Sequence, residues 1–137
     1  MRFTLILSGI CVSLIVMSTA CRKQVDVAQD QPAIVRKVRF GLYSNSNIPG
    51  DNTWISFTTA IRNKNKILWD SVLAPMQVKD IPDAAHMLII EKSLLTTDTS
   101  LLKAGFYYTI DNVGSSWYVD SFAVNEGVKI INFNFQK

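Results

Sequence analysis

The sequence predicts an all-β fold: an antiparallel β-sandwich of about seven or eight short strands, preceded by a cleaved signal helix and a flexible tether. Three observations carry that expectation. From Ile34 onward apolar residues recur with period two, as they do when alternate side chains leave opposite faces of a half-buried pleated strand. Clusters of Asn, Gly, Pro, Asp and Ser break these runs at near-regular intervals. No stretch carries the 3.6-residue apolar period of an amphipathic helix; the nearest is a turn or so at 97–102.

The first element is a signal. Met1-Arg2 gives a single charge, and residues 3–17 form an apolar run of about 15 residues, the upper end for a secretory h-region and short of the ~20 that span a bilayer. The run decays into the stretch "MSTACRKQ" at 17–24. Ser18-Thr19-Ala20 are the small residues a signal peptidase cleft requires, and Cys21 follows at once. Small residues directly before a cysteine resemble the lipobox of bacterial lipoproteins, with Ser18 at the position where that family more often has Leu. The resemblance implies that the Cys21 thiol receives a diacylglycerol, that cleavage follows Ala20, and that the new amine is acylated. Ordinary secretion is the alternative, and a retained transmembrane anchor is another. Cysteine arithmetic favours lipidation over plain secretion. Cys11 leaves with residues 1–20, so a secreted mature chain would carry one lone thiol in an oxidising compartment.

Residues 21–33 follow as lipidated cysteine and tether: polar, Gln-rich, without an apolar face and closed by Pro32. Arg22-Lys23 would lie against anionic headgroups. Lipoproteins sent to the cell surface can carry acidic residues at this point, and the opposite charge here favours an outer-membrane anchor facing the periplasm.

Residues 34–137 form the expected sandwich domain. In the first strand Val38, Phe40 and Leu42 fall on one face and Lys37 and Arg39 on the other. The loop 44–52 turns at Pro49-Gly50. The second strand, 53–62, puts Ile55, Phe57, Thr59 and Ile61 together. Asn63-Lys64-Asn65 closes a hairpin into 66–73, because Asn tolerates left-handed backbone. A short strand at 76–80 and a Pro82-Asp83 turn lead into 85–91, apolar on both faces as a central strand would be. Residues 94–102 read as a connection, 104–113 as a strand with Phe106, Tyr108 and Ile110 on one side, and 117–124 as another. The last strand, 129–135, alternates Ile131, Phe133 and Phe135 with asparagines. This rhythm, with "VKDIPD" at 78–83 and "VKIINFNF" at 128–135, resembles the prealbumin-like and immunoglobulin-like modules of bacterial envelope lipoproteins over residues 34–136.

Composition excludes several function classes. Removing residues 1–20 takes one arginine and no acid, leaving 13 Lys+Arg against 11 Asp+Glu, too balanced for nucleic-acid binding. The remaining chain is long enough for one domain and too short for two. His86 is the single histidine and reads as a rim residue, so a Cys/His metal site is not expected and neither is any cofactor. Asp80, Asp83, Asp51, Asp111 and Asp120 are scattered turn or strand acids without calcium-loop spacing. No catalytic residue is expected. Trp54, Trp69, Trp117, Tyr107 and Tyr118 could stack on sugar faces if several were exposed together, although tryptophans in small sandwiches mostly anchor the core. Trp54 is the candidate ligand-binding residue, since alternation sets it opposite Ile55 and Phe57.

These readings converge on a non-enzymatic, lipid-anchored envelope module that binds an envelope protein or a glycan. The alternatives are a glycan-binding accessory lipoprotein, a small hydrolase using scattered carboxylates, and a structural subunit recognised by an open edge strand.

Overall fold

The computed structural model describes residues 32–46 and 49–136. The expected signal at 1–20, Cys21 and most of the tether lie outside the described residues. β1 (Ile34–Tyr43) alternates as expected, and its inward face is Arg36, Val38, Phe40 and Leu42, all buried. It is the middle strand of a three-stranded sheet. On one side it pairs antiparallel with β5 (Leu88–Thr96), and on the other it pairs with β8 (Val128–Asn134). The β1–β8 ladder is parallel, running from Lys37↔Val128 to Tyr43↔Asn134. A parallel neighbour cannot be reached by a tight turn, and here the whole intervening chain separates the two strands.

The second sheet holds the other elements. β2 (Trp54–Asn63) pairs with β3 (Lys66–Val72) and with β6 (Leu102–Ile110), which pairs in turn with β7 (Gly114–Phe122), all antiparallel. β4 (Met76–Gln77) pairs with the start of β2 on the side where β3 pairs with its end. Pro75, which has no N–H to give the ladder, separates these two lengths of one edge. Eight strands in two sheets among the described residues make the β-sandwich the sequence predicts.

Between the sheets lies an aromatic core. Every phenylalanine from Phe40 to Phe135 is buried. Phe57 and Phe106 of one sheet meet Phe133 and Phe135 from the other side at centroid separations of 5.5–6.4 Å, mostly edge-to-face. That arrangement sets each ring's positive edge against a neighbour's negative face. Trp69 leans inward from β3 onto Phe40 at 5.9 Å, so this tryptophan is a packing residue. Tyr118 also turns inward and stacks on Phe133 at 5.2 Å.

At one end of the core sits a charge. Arg36 is fully buried; its Nη1 donates to the carbonyl of Ser100 at 2.6 Å, its Nη2 donates to that of Phe122 at 2.7 Å, and its guanidinium lies 4.5 Å above the Phe122 ring. The cation therefore joins β1 to the far sheet.

Four local expectations are corrected. Residues 85–91 do not form a central strand: 84–86 is a 3-10 turn, and β5 is a sheet edge with Ile89 and Leu95 exposed. The apolar outer face misled, because burial depends on neighbours that the run itself does not encode. The inward position Lys92 lies over the Trp69 ring at 5.6 Å, a charge aimed into an edge strand that discourages further pairing. Strand 76–80 is only Met76–Gln77 followed by a 3-10 turn at Val78–Asp80. The connection at 94–102 is shorter, since β5 continues to Thr96 and β6 starts at Leu102. In the β2–β3 hairpin the left-handed residue is Lys64 (φ 48°), not an asparagine.

Replacing Arg36 by Met keeps much of the volume but takes a donor from the buried Phe122 carbonyl and another from the part-buried Ser100 carbonyl, at about 1–3 kcal/mol for a buried group and less for an accessible one. Urea unfolding should register a loss of that order. An unchanged midpoint would show that water reaches these carbonyls and that the cation is not a tie.

Candidate functional site

The solvent face of the five-stranded sheet is assembled by register. Antiparallel pairing sets Thr58 of β2 opposite Tyr107 of β6, and Tyr107 opposite Trp117 of β7. Two residues along, Ala60, Gly105 and Val119 form the next row, and Arg62, Lys103 and Ser121 the row after. Trp54 shares the face at the start of β2, displaced from Thr58 by four residues, about 13 Å at strand rise. Trp117 is 68 % exposed and Trp54 49 %, so neither ring is spent on the core. The outward phase expected for Trp54 is the one found.

Small residues shape the face. Ala60 and Gly105 carry no bulk between the outer rows, and both are buried although their row faces solvent. Side chains must therefore lie across them. Arg62 does so: its guanidinium sits 4.4 Å above the Tyr107 ring. A shallow depression of about 390 Å³ lies along the outward rows that flank Gly105, lined by Lys103, Tyr107, Trp117, Val119 and Ser121. Glycine is dictated there by close approach, since a Cβ would collide with the backbone of Tyr118 and Val119. A bulge helps set the corner: β3 carries one extra residue where Ile61 pairs with Trp69 and Arg62 with Ile67. Such an insertion sharpens local twist and re-aims the neighbouring side chains.

Among the described residues neither Arg62 nor Lys103 forms an ion pair. The acid on this face is Asp70 of β3, opposite Ala60. The other charges on the sandwich pair elsewhere: Arg39 with Glu91 at 2.6 Å and Lys129 with Asp120 at 2.7 Å. Hydrogen bonding from Lys129 and from the Ser121 backbone holds the Asp120 carboxyl below its ordinary range.

A second concavity, about 710 Å³, opens between the loops at the end of the sandwich, with Asn45, Ser46, Lys79 and Asp83 on its walls. Its polar groups are engaged in tying loops together. Lys79 donates to Asn52 at 2.7 Å, and Ser44 Oγ donates to the Phe135 carbonyl at 2.9 Å. Asp83 caps the following 3-10 turn by accepting from the His86 backbone, and its Oδ1 lies 2.8 Å from His86 Nδ1. This is the one contact that resembles acid–base machinery. Both side chains are highly exposed. No cluster of three or more His, Cys, Asp or Glu suited to a metal occurs among the described residues.

Compared with known proteins, the chain matches no family model, no curated protein and no solved structure.

Of the five aromatic candidates, the structure brings Tyr107 and Trp117 together, adds Trp54 farther along the same face, and assigns Trp69 and Tyr118 to packing. Sequence reasoning missed Arg62 and Lys103. Each sits at an outward phase of its strand, which was legible; that they stand opposite one another depends on the β2–β6 register, which was not.

Asp83 offers a local test. Hydrogen bonds from the His86 side chain first, then from its backbone, lower the Asp83 pKa. His86→Ala removes only the first, so an NMR titration should show the pKa rise while staying below its ordinary value. No movement at all would mean the side-chain contact is not populated.

Proposed function

We propose that this chain is a non-enzymatic, lipid-anchored module of the bacterial envelope that binds glycan on the solvent face of its five-stranded sheet. The observation that carries the reading is the exposed ring of Trp117, paired across strands with the half-buried Tyr107 beside a depression and mounted on an edge strand rather than on a loop. An aromatic ring offers a sugar a broad apolar surface at small conformational cost, because only two side-chain torsions need be fixed. A rigid sheet pre-organises that surface. Trp54 extends it along β2 toward further rings of a chain. The scattered-carboxylate hydrolase has less support, since its acids serve turns and surface ion pairs.

The anchor belongs to the same proposal and rests on the sequence around Cys21. Three acyl chains would hold the module at a membrane far more firmly than one. The charge of Arg22-Lys23, opposite to that of a surface-export signal, supports a position on the periplasmic face of the outer membrane. An envelope protein as partner is the competing occupant.

Two measurements test these parts separately. Metabolic labelling with a fatty-acid analogue should mark the wild type and leave Cys21→Ser unlabelled and out of the membrane pellet; equal labelling of both would end the lipobox reading. On a glycan array, Trp117→Ala should lose binding while its thermal midpoint stays nearly that of the wild type, and Trp54→Ala should weaken binding to longer oligomers only. A wild type that binds no glycan, yet captures an envelope protein in cells, would transfer the face to the competing reading.

A further inference from the structure

Arg62 and Lys103 stand directly opposite one another across β2 and β6, on the solvent face, and among the described residues neither is ion-paired. Like charges in facing positions of an antiparallel pair destabilise the sheet. Elsewhere the domain avoids this arrangement: Arg39 faces Glu91 across β1 and β5, and the two form an ion pair. The Arg62 guanidinium carbon lies over the Tyr107 ring, 4.4 Å from its centroid, and its Nε is buried without a hydrogen-bond partner. A guanidinium held in this way keeps its N–H donors in its own plane, where they suit the paired oxygens of a carboxylate or a sulfate. Lys103 supplies a point charge at the wall of the same depression that Trp117 borders.

We infer that the glycan recognised on this face is acidic, with the carboxylate or sulfate of one sugar ring held between Arg62 and Lys103 while a ring of the chain stacks on Trp117. The inference rests on the glycan reading above and narrows it to a ligand class. Stacking alone accepts many sugars. The facing cations add selection, because a neutral chain leaves their repulsion in place and an acidic one relieves it. Ser121 also lines the depression and offers a hydroxyl to a polysaccharide backbone.

Affinity electrophoresis of the full chain through gels containing defined polysaccharides tests this. The probes are polygalacturonate against its methyl ester, and dextran sulfate against dextran; each pair differs in charge and keeps the ring. Retardation should be strong in one or both acidic gels and weak in the neutral partners, and the acidic gel that retards identifies carboxylate or sulfate as the group held. Lys103→Gln, an exposed substitution that leaves the fold alone, should weaken acidic binding about tenfold or more, as expected for loss of a hydrogen bond to a charged group. It should also flatten the salt dependence. Trp117→Ala should abolish retardation by every probe. Equal retardation by acidic and neutral probes, with Trp117→Ala still abolishing it, would overturn the acidic class and leave the glycan platform standing. Undiminished acidic binding in Lys103→Gln would likewise overturn the inference. No retardation in any gel would overturn both.

Discussion

Enclosing the guanidinium of Arg36 sets a condition on the whole sandwich, because its N–H groups must find oxygens before the sheets can close over it. The two oxygens it finds belong to Ser100, just ahead of β6, and Phe122, the last residue of β7. They come from the far sheet and from segments 64 and 86 residues away. The charge therefore fixes the register of β1 against the other layer at one end, while the phenylalanine cluster fills the remainder. Apolar packing tolerates small slips; a cation bonded to two carbonyls does not. The face of β1 that carries Arg36 also carries Val38, Phe40 and Leu42, so the same strand supplies the specific tie and the bulk of its sheet's core.

Much of the fold was legible because a pleated strand writes its burial into every second residue. Ile55, Phe57, Thr59 and Ile61 share an inward face as the spacing predicted, and so do Ile131, Phe133 and Phe135. What alternation could not report was adjacency. The run Leu88-Ile89-Ile90 looked central and lies at an edge, because the presence of one neighbour or two is decided by the rest of the chain. Arg36 was hidden for a related reason: a cation at an inward phase looks like the end of a strand until carbonyls from other strands are seen to meet it. The parallel β1–β8 ladder left no local trace, since each strand alternates in the same way whatever the direction of its partner. For the candidate site, the outward phase of Trp54 was readable from its own strand. The Tyr107–Trp117 and Arg62–Lys103 pairs needed the β2–β6–β7 register.

The two faces of the five-stranded sheet divide its aromatic residues by task. Inward rings pack together, many of them edge to face; the outward ring of Trp117 borders a depression. Gly105, between the outward rows on β6, lets the β7 backbone at Tyr118 and Val119 come close. A substitution at Gly105 would push against that backbone and disturb the pairing of the two strands.

The parallel ladder between the first and last strands has a mechanical consequence. In parallel pairing, the leading end of β1 and the trailing end of β8 point to opposite ends of the three-stranded sheet, with seven residue pairs between them. Tension drawn through those two ends slides the strands past each other, so the backbone bonds of the ladder share the load and must yield together. An antiparallel first-and-last pair would peel open one bond at a time. A domain held at one end and tugged at the other is thereby built to resist stretching along the sheet far better than its modest size suggests.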